Sequence, residues 1–324
     1  MTIGLTYDLK SEYLALGFSS EEAAEFDSID TIIGIENALH ELGYETERIG
    51  HAKSLIEKIN SGKKWDLVFN ICEGMYGIGR EAQVPAILDL YNIPYVFSDV
   101  LVLSLTLHKG MTKRVIRDLG IPTADFFVVE TISDVEKVNL PFPLFAKPVA
   151  EGTGKGINAL SVINNQNELI ESCTEKLQKF KQPVLVETYL SGREFTVGVV
   201  GTGSDAKVVG AMEVVFRKNT KSDVYSYDNK ANYEQYIDYL VPEKEILESV
   251  YDVALKSWIG LGCRDGGRVD IRMDKNGIPN FIEVNPLAGL HPIDSDLPIL
   301  SRLNGISYVE VIKMIMDSAV KRIN

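Results

Sequence analysis

Cysteine is scarce in this chain, with three residues in 324, Cys72, Cys173 and Cys263. So small, odd and widely spaced a set builds no disulfide framework and suits reduced thiols in the cytoplasm, the expected location. None has a metal-like or nucleophile-like neighbourhood, so all three read as small packing residues. Positive charge is also short, with 33 Lys and Arg against 46 Asp and Glu and a net charge of −13. That deficit argues against a nucleic-acid partner. No apolar run approaches the roughly 20 residues that span a bilayer. The opening Met1-Thr-Ile-Gly-Leu-Thr-Tyr-Asp8 reads as a strand rather than a signal peptide. Internal repeats, low-complexity linkers and GKS or GKT sequences are missing, and so are a GxGxxG opening a helix and any Ser-His-Asp or Cys-His arrangement. These absences leave small molecules as the partners to look for.

At 324 residues the chain is long for one compact core, so two or three subdomains are expected. Its first third alternates strand and helix patterns. Strands are expected at Ile3–Thr6, Trp65–Asn70 and Tyr95–Phe97, and helices at Ser28–Leu42, stopped by Gly43, and at Arg80–Tyr91. That alternation predicts a small parallel sheet with helices on both faces. Toward the C-terminus a helix follows Pro242, covering Glu243–Ile259 and ending at Gly260, and another follows Ser307.

The stretch from Gly266 to Pro286 carries the strongest local pattern. Asn276-Gly277 signals a tight hairpin, because both residues tolerate the positive φ of a type I′ turn. With those two as the turn, Asp270 lies across from Glu283 and Arg268 across from Asn285, all on one face. Val269, Ile271, Ile282 and Val284 share the other face. Pro279 cannot donate to the ladder, which gives the pairing near the turn a reason to slip by a residue. Carboxylates directly opposite each other are mutually destabilising by roughly 0.2–1 kcal/mol. A cation between them reverses that sign, and an all-oxygen donor set suits Mg²⁺ or Mn²⁺ rather than zinc. The plainer alternative is a solvated sheet face with scattered charge.

Upstream, the strand-like Pro141–Val149 leads into Glu151-Gly-Thr-Gly-Lys-Gly156 and then an apolar run, Ile157–Ile163. Such a loop lets backbone N–H groups approach an anion, and Lys147 and Lys155 add positive charge. A plain hairpin is the alternative. Pro183–Leu190 reads as a strand ending in a turn at Ser191-Gly192, with Arg193–Val200 as the next strand. Glu187 and Glu194 then flank a tight connection, as acceptors for an amino group and sugar hydroxyls or as ordinary exposed glutamates.

Taken in order, Lys147, the glycine-rich loop, the Glu187/Glu194 pair and the Arg268-x-Asp270…Glu283-x-Asn285 hairpin resemble the ATP-grasp superfamily, and within it the D-alanine–D-alanine ligases. The resemblance covers nearly the whole chain, including Ile93-Pro-Tyr95 and Lys109 in a helix opening Ser104-Leu-Thr-Leu-His-Lys109. It implies an α/β and α+β fold, with an N-terminal parallel-sheet domain followed by a two-subdomain ATP-grasp fold. The expected domains are 1–98, 99–187 and 188–324, the last with the metal site and the edges near Ser98 and Thr188.

By the same resemblance, Lys109 and Lys147 contact the α- and β-phosphates of ATP while Gly152, Thr153 and Gly154 close over them. Glu187 reads the adenine amino group and Glu194 the ribose. Lys230, on a mobile loop, meets the γ-phosphate. Asp270, Glu283 and Asn285 bind two Mg²⁺ ions, and Arg268 stabilises an oxyanion. The implied reaction is attack of a carboxylate on the γ-phosphate, giving an acyl phosphate, followed by attack of an amine. Phosphoryl transfer needs positioning and charge neutralisation, which lysines and metals supply. One fixed oxyanion donor is typically worth about 3–4 kcal/mol. The implied partners are amino acids or an amine, with no nucleic acid and no membrane, and family members are commonly homodimers.

Departures from the family bear on the substrate. Its Gly-Gly-x-Ser-x-Glu stretch, whose Glu helps hold the first substrate's ammonium, is replaced by Tyr7-Asp8-Leu9-Lys10-Ser11-Glu12 and an insert through Phe26, with Asp8 or Glu12 as substitutes. Where the family shows His-Gly, this chain has Cys72-Glu73-Gly74, and Ala231 stands where a tyrosine is expected. The Ser-rich cradle for the second substrate's carboxylate becomes Leu290-His-Pro-Ile-Asp-Ser-Asp-Leu297. Glu73, Asp294, Ser295 and Asp296 are therefore the candidate substrate residues. A carboxylate-bearing acceptor beside Asp294 and Asp296 meets like charge, at a cost on the order of a kcal/mol. Either both aspartates turn outward or cap the following helix, or the pocket prefers a substrate with an extra ammonium or no free α-carboxylate. Three function classes remain, a carboxylate–amine ligase, a kinase using the same ATP residues, and a nucleotide-binding regulator without turnover. Arg268 opposite Asn285 favours the ligase.

Overall fold

The computed structural model describes residues 1–217 and 237–323. Its N-terminal sheet is parallel, in the order β2 (Glu45–Gly50), β1 (Thr2–Tyr7), β3 (Leu67–Ile71). Helix α1 (Lys10–Ala15) follows β1, and α2 (Ile29–Glu41) begins at Ser28, whose side chain accepts from the Thr31 N–H. Gly43, at φ +85°, takes the chain out of α2, as glycine does at helix ends. Helix α3 (Ala52–Asn60) joins β2 to β3. Segment Tyr95–Phe97 meets β3 through a single bridge rather than as a strand. Phe97 adopts φ +77° and gives its N–H to the Asp265 carboxylate at 2.7 Å, which removes it from the ladder. The expected helix at 80–91 is a 3₁₀ turn, Arg80–Ala82, running into α4 (Gln83–Leu90).

Helix α5 (Val100–Leu107) is capped by Asp99. His108 then breaks the helix and caps α6 (Lys109–Asp118), its imidazole accepting from the Met111 N–H at 3.2 Å. Lys109 is thus the first residue of a new helix, not an interior one.

Two antiparallel sheets follow. One runs β4 (Phe126–Val129), β7 (Val184–Thr188), β5 (Leu144–Pro148), β6 (Val162–Ile163), packed against α7 (Gln166–Phe180). Only two residues of the expected Ile157–Ile163 strand pair, because Asn158 caps a 3₁₀ turn at Ala159–Ser161. The other sheet runs β10 (Ile237–Leu240), β9 (Lys207–Phe216), β8 (Glu194–Val200), β11 (Gly266–Met273), β12 (Pro279–Asn285). Glu187 and Glu194 therefore end one sheet and begin the next, and Ser191-Gly192 is a crossover between sheets.

Helix Lys244–Leu261 buries Trp258 against this sheet and ends at Gly262, φ +75°. Gly260 lies inside the helix, where a Cβ would come within 2.5 Å of Leu119. Its role is close packing rather than termination. The last helix, Tyr308–Ile323, returns to pack on α2, so Ile3, Phe69 and Phe97 share one core with Leu300, Val311 and Ile315.

Candidate active site

The hairpin β11–β12 pairs Arg268 with Asn285, Val269 with Val284 and Asp270 with Glu283, the register expected from the sequence. Beyond Asp270 the register slips by one, and Ile271 faces Phe281. The turn explains the slip. Only Gly277 has positive φ, its N–H bonds the Asp274 carbonyl, and the Asp274 carboxylate accepts from the N–H groups of Asn276 and Ile278. That is a type I turn with a glycine bulge, not type I′. In consequence Phe281, not Ile282, fills the core, and Ile282 joins Glu283 on the wall of a cavity.

That cavity lies between the two antiparallel sheets. Phe145, Ile157, Tyr189, Leu190 and Ile282 give it apolar walls suited to a flat ring. Glu187, on β7, is buried, with Lys113 Nζ at 2.8 Å on one carboxylate oxygen and Lys147 Nζ at 3.2 Å on the other. Burial would raise its pKa, but the two ammonium groups overcome this and hold it below the usual carboxylate range. Glu194 faces Arg272 at 3.2 Å, and burial, only partly offset by that guanidinium, leaves its carboxyl above the usual range.

Glu283 stands at the centre of the charges. Lys109 and Lys147, from α6 and β5, each place Nζ 3.7 Å from its Oε2. Asp270 receives bonds from Arg268, from Asn285 Nδ2 at 3.2 Å and from Thr196 Oγ1 at 3.0 Å. Burial raises the Asp270 pKa; Arg268 opposes this, and the Glu283 charge adds to it. Among the described residues no three His, Cys, Asp or Glu side chains cluster as a metal site. Asp270, Glu283 and the Asn285 amide still fit a hard divalent cation. They are oxygen donors on one strand face, and the strain between two facing carboxylates is what a cation relieves.

A larger cavity, of about 440 Å³, continues from Lys109, Arg268 and Glu283 toward the N-terminal sheet. Glu73, Glu81, Asp294, Ser295 and Asp296 line it. Burial, reinforced by Glu81, pushes the Glu73 carboxyl well above the usual range, and burial, against Arg80, pushes Glu81 to about 7. The two aspartates part ways. Asp296 is buried 3.5 Å from Arg268 Nε, whereas Asp294 is mostly exposed and gives its backbone N–H to His291 Nδ1 at 3.1 Å. The Ser295 hydroxyl accepts from the His291 N–H at 2.9 Å. Thr153 and Gly154, with Gly152 beside them, form the loop where the two cavities meet. Lys230 and Ala231 lie outside the described residues.

Asp8 is turned elsewhere, accepting from Tyr13 Oη at 2.6 Å and the Gly74 N–H at 2.9 Å, and Glu12 is exposed. Of the insert's carboxylates, Glu25 lines the larger cavity, beside Asp27 and Asp30 that follow the insert. Lys113 and Arg80 were likewise unassigned from the sequence. Lys113 had a signal, one helical turn beyond Lys109 on α6.

The fold and the cavity residues define a ligase of the ATP-grasp class, which forms C–N bonds. The family model described as D-ala D-ala ligase C-terminus matches residues 115–317, and the chain belongs to that family. It is 29% identical to a D-alanine–D-alanine ligase of Actinobacillus pleuropneumoniae serotype 5b over 322 residues, covering 95% of this chain and 98% of the relative. A Thermotoga petrophila enzyme of the same name is 30% identical over 286 residues, covering 88% and 90%. The crystal structure of D-alanine–D-alanine ligase from Bacillus anthracis superposes with TM-score 0.76 at 25% identity, covering 99% of this chain and 98% of that one. The same enzyme complexed with ATP gives 0.74 at 24% identity. Among the described residues no helix is long and apolar enough to cross a membrane.

Proposed function

We propose that this chain uses ATP to join the carboxylate of one D-alanine to the amine of another, or of a closely related acceptor, releasing ADP and phosphate. The observation that carries the reading is one strand face presenting Arg268, Asp270, Glu283 and Asn285 while Lys109 and Lys147 converge on Glu283. In this reading the domains are 1–98, 99–187 and 188–324, and a homodimer is the assembly. The adenine lies between the apolar walls with Glu187 at its amino group and Glu194 at the ribose. Lys109 and Lys147 hold the α- and β-phosphates, and Gly152, Thr153 and Gly154 cover them. Lys230 completes the γ-phosphate contacts. Asp270, Glu283 and Asn285 hold Mg²⁺, which neutralises phosphate charge when bound.

Arg268, held between Asp270 and Asp296, stabilises the oxyanion of the amine attack in this reading, which its contacts with those two carboxylates support. Glu25 takes the first substrate's ammonium, in place of the Asp8 or Glu12 considered as substitutes. Glu73, Ser295 and Asp296 line the amino-acid side. Exposed to solvent, Asp294 repels an acceptor carboxylate less than a buried charge would. Phosphate release measured with D-alanine, against a panel of other D- and L-amino acids and amines, tests the proposal. Release with D-alanine and formation of a dipeptide are expected. A phosphorylated product would make the chain a kinase, and release only with another amine would move the substrate.

A further inference from the structure

The glycine-rich loop presents two anion-seeking groups, the Gly152 N–H and the Lys155 ammonium, and Glu25 engages both, sharing Lys155 with Glu151, whose Oε2 lies 2.7 Å from Nζ. Gly152 N–H donates to Glu25 Oε1 at 2.6 Å, and Lys155 Nζ lies 3.3 Å from the same oxygen. The approach depends on residue 152 having no side chain, since a Cβ there would lie 2.9 Å from Glu25 Oε1. On its other side Glu25 accepts from Arg80 Nη2 at 2.6 Å, and Arg80 Nη1 donates to the Ala150 carbonyl at 2.8 Å. Arg80 and Glu25 are both buried, at 8% and 7% side-chain exposure. A fourth contact, Lys179 to Glu21 at 2.7 Å, ties the same insert to the end of α7.

We infer that Glu25 is an internal anion for the phosphate loop, competing with nucleotide for Gly152 and Lys155. This rests on the reading of that loop as the phosphate cover. A polyphosphate reaching the loop needs the Gly152 N–H that Glu25 holds, and one N–H cannot serve both anions, while a third negative group beside Lys155 meets the repulsion of Glu25 and Glu151. The displaced carboxylate keeps Arg80 and gains a second cation only when an ammonium-bearing substrate enters the larger cavity, which Glu25 lines. Nucleotide and amino substrate therefore favour each other's binding through this residue, as linkage requires. Arg80 is the positioning residue. Its fork spans Glu25 and the Ala150 carbonyl, keeping the carboxylate at the boundary of the two subsites.

The test measures binding of adenylyl imidodiphosphate with Mg²⁺ to the full chain by calorimetry. Glu25→Gln keeps the side-chain volume and removes the charge, and should tighten the analogue on the order of fivefold with no amino acid present, the low end of ordinary coupling. Unchanged or weaker binding in the folded variant overturns the inference. With the amino acid that supports phosphate release, the analogue should tighten in the wild type and not in the variant, and equal tightening in both also overturns it. If Glu25→Gln fails to fold, hydrogen exchange on the wild type decides. Residues 19–26 should exchange faster when the analogue is added, and unchanged or slower exchange is the contrary result. Failure of the D-alanine reading shows separately, as absence of phosphate release with D-alanine, because the analogue's affinity is read without any amino acid.

Discussion

Glu283 is the residue whose charge the surroundings most depend on. It faces Asp270 across the ladder and sits 3.7 Å from two lysine ammonium groups. Glu283→Gln removes the charge without the volume, so the fold should survive while Mg²⁺-dependent phosphate release falls by at least on the order of a hundredfold, given the several kcal/mol a bound metal supplies. Steady-state assays across Mg²⁺ concentrations, beside a melting curve, check this; full activity would dismiss the metal assignment. The charges on this face were legible from the sequence because strand alternation assigns faces without knowledge of the rest of the fold. Glu25 was not. Its contact with Gly152 spans 127 positions, and no local pattern in the insert marks one of its glutamates.

At the scale of elements, the β11–β12 hairpin divides into a half the sequence defined and a half it did not. Pairing from Arg268 to Asp270 matches the count from a two-residue turn because a one-residue bulge at Phe281–Ile282 offsets the extra residue of the actual turn. The slip beyond Asp270 follows from the turn's own hydrogen bonds, since the Asp274 carboxylate selects a type I turn with Gly277 in the bulge. An Asn-Gly pair is compatible with either turn, so the residue types alone could not separate them. The consequence is testable in stability. Phe281, fully buried, should cost about 3–5 kcal/mol as Phe281→Ala. Ile282, on the cavity wall, should cost clearly less as Ile282→Ala and should weaken nucleotide binding instead. Urea unfolding of the two variants decides, and a larger loss at Ile282 would reverse the bulge. The same limit applied at His108, where an apparently continuous helix breaks because a side chain caps the next one.

Across the whole molecule, a single buried carboxylate joins the parts that the sequence left as separate domains. Asp265, at φ +64° and immediately before β11, is fully buried. It accepts from the Phe97 N–H at 2.7 Å, Ser318 Oγ at 2.9 Å, and Arg322 Nε and Nη2 at 2.9 and 2.6 Å. Arg322 Nη2 also donates to the Tyr95 carbonyl at 3.0 Å. The N-terminal sheet, the last helix and the strand bearing Arg268 and Asp270 therefore meet at one ion pair. Asparagine tolerates the left-handed backbone, so Asp265→Asn isolates the charge from the conformation. Leaving Arg322 without its counter-ion should destabilise the chain by about 3–5 kcal/mol, the usual cost of breaking a buried pair. Arg322→Met in the same background should recover part of that loss, because the orphaned charge goes with it. A double-mutant cycle by urea unfolding measures the coupling. A coupling near zero would mean that packing of Tyr308–Ile323 on α2, rather than this ion pair, holds the N-terminal sheet against the strand that carries the site.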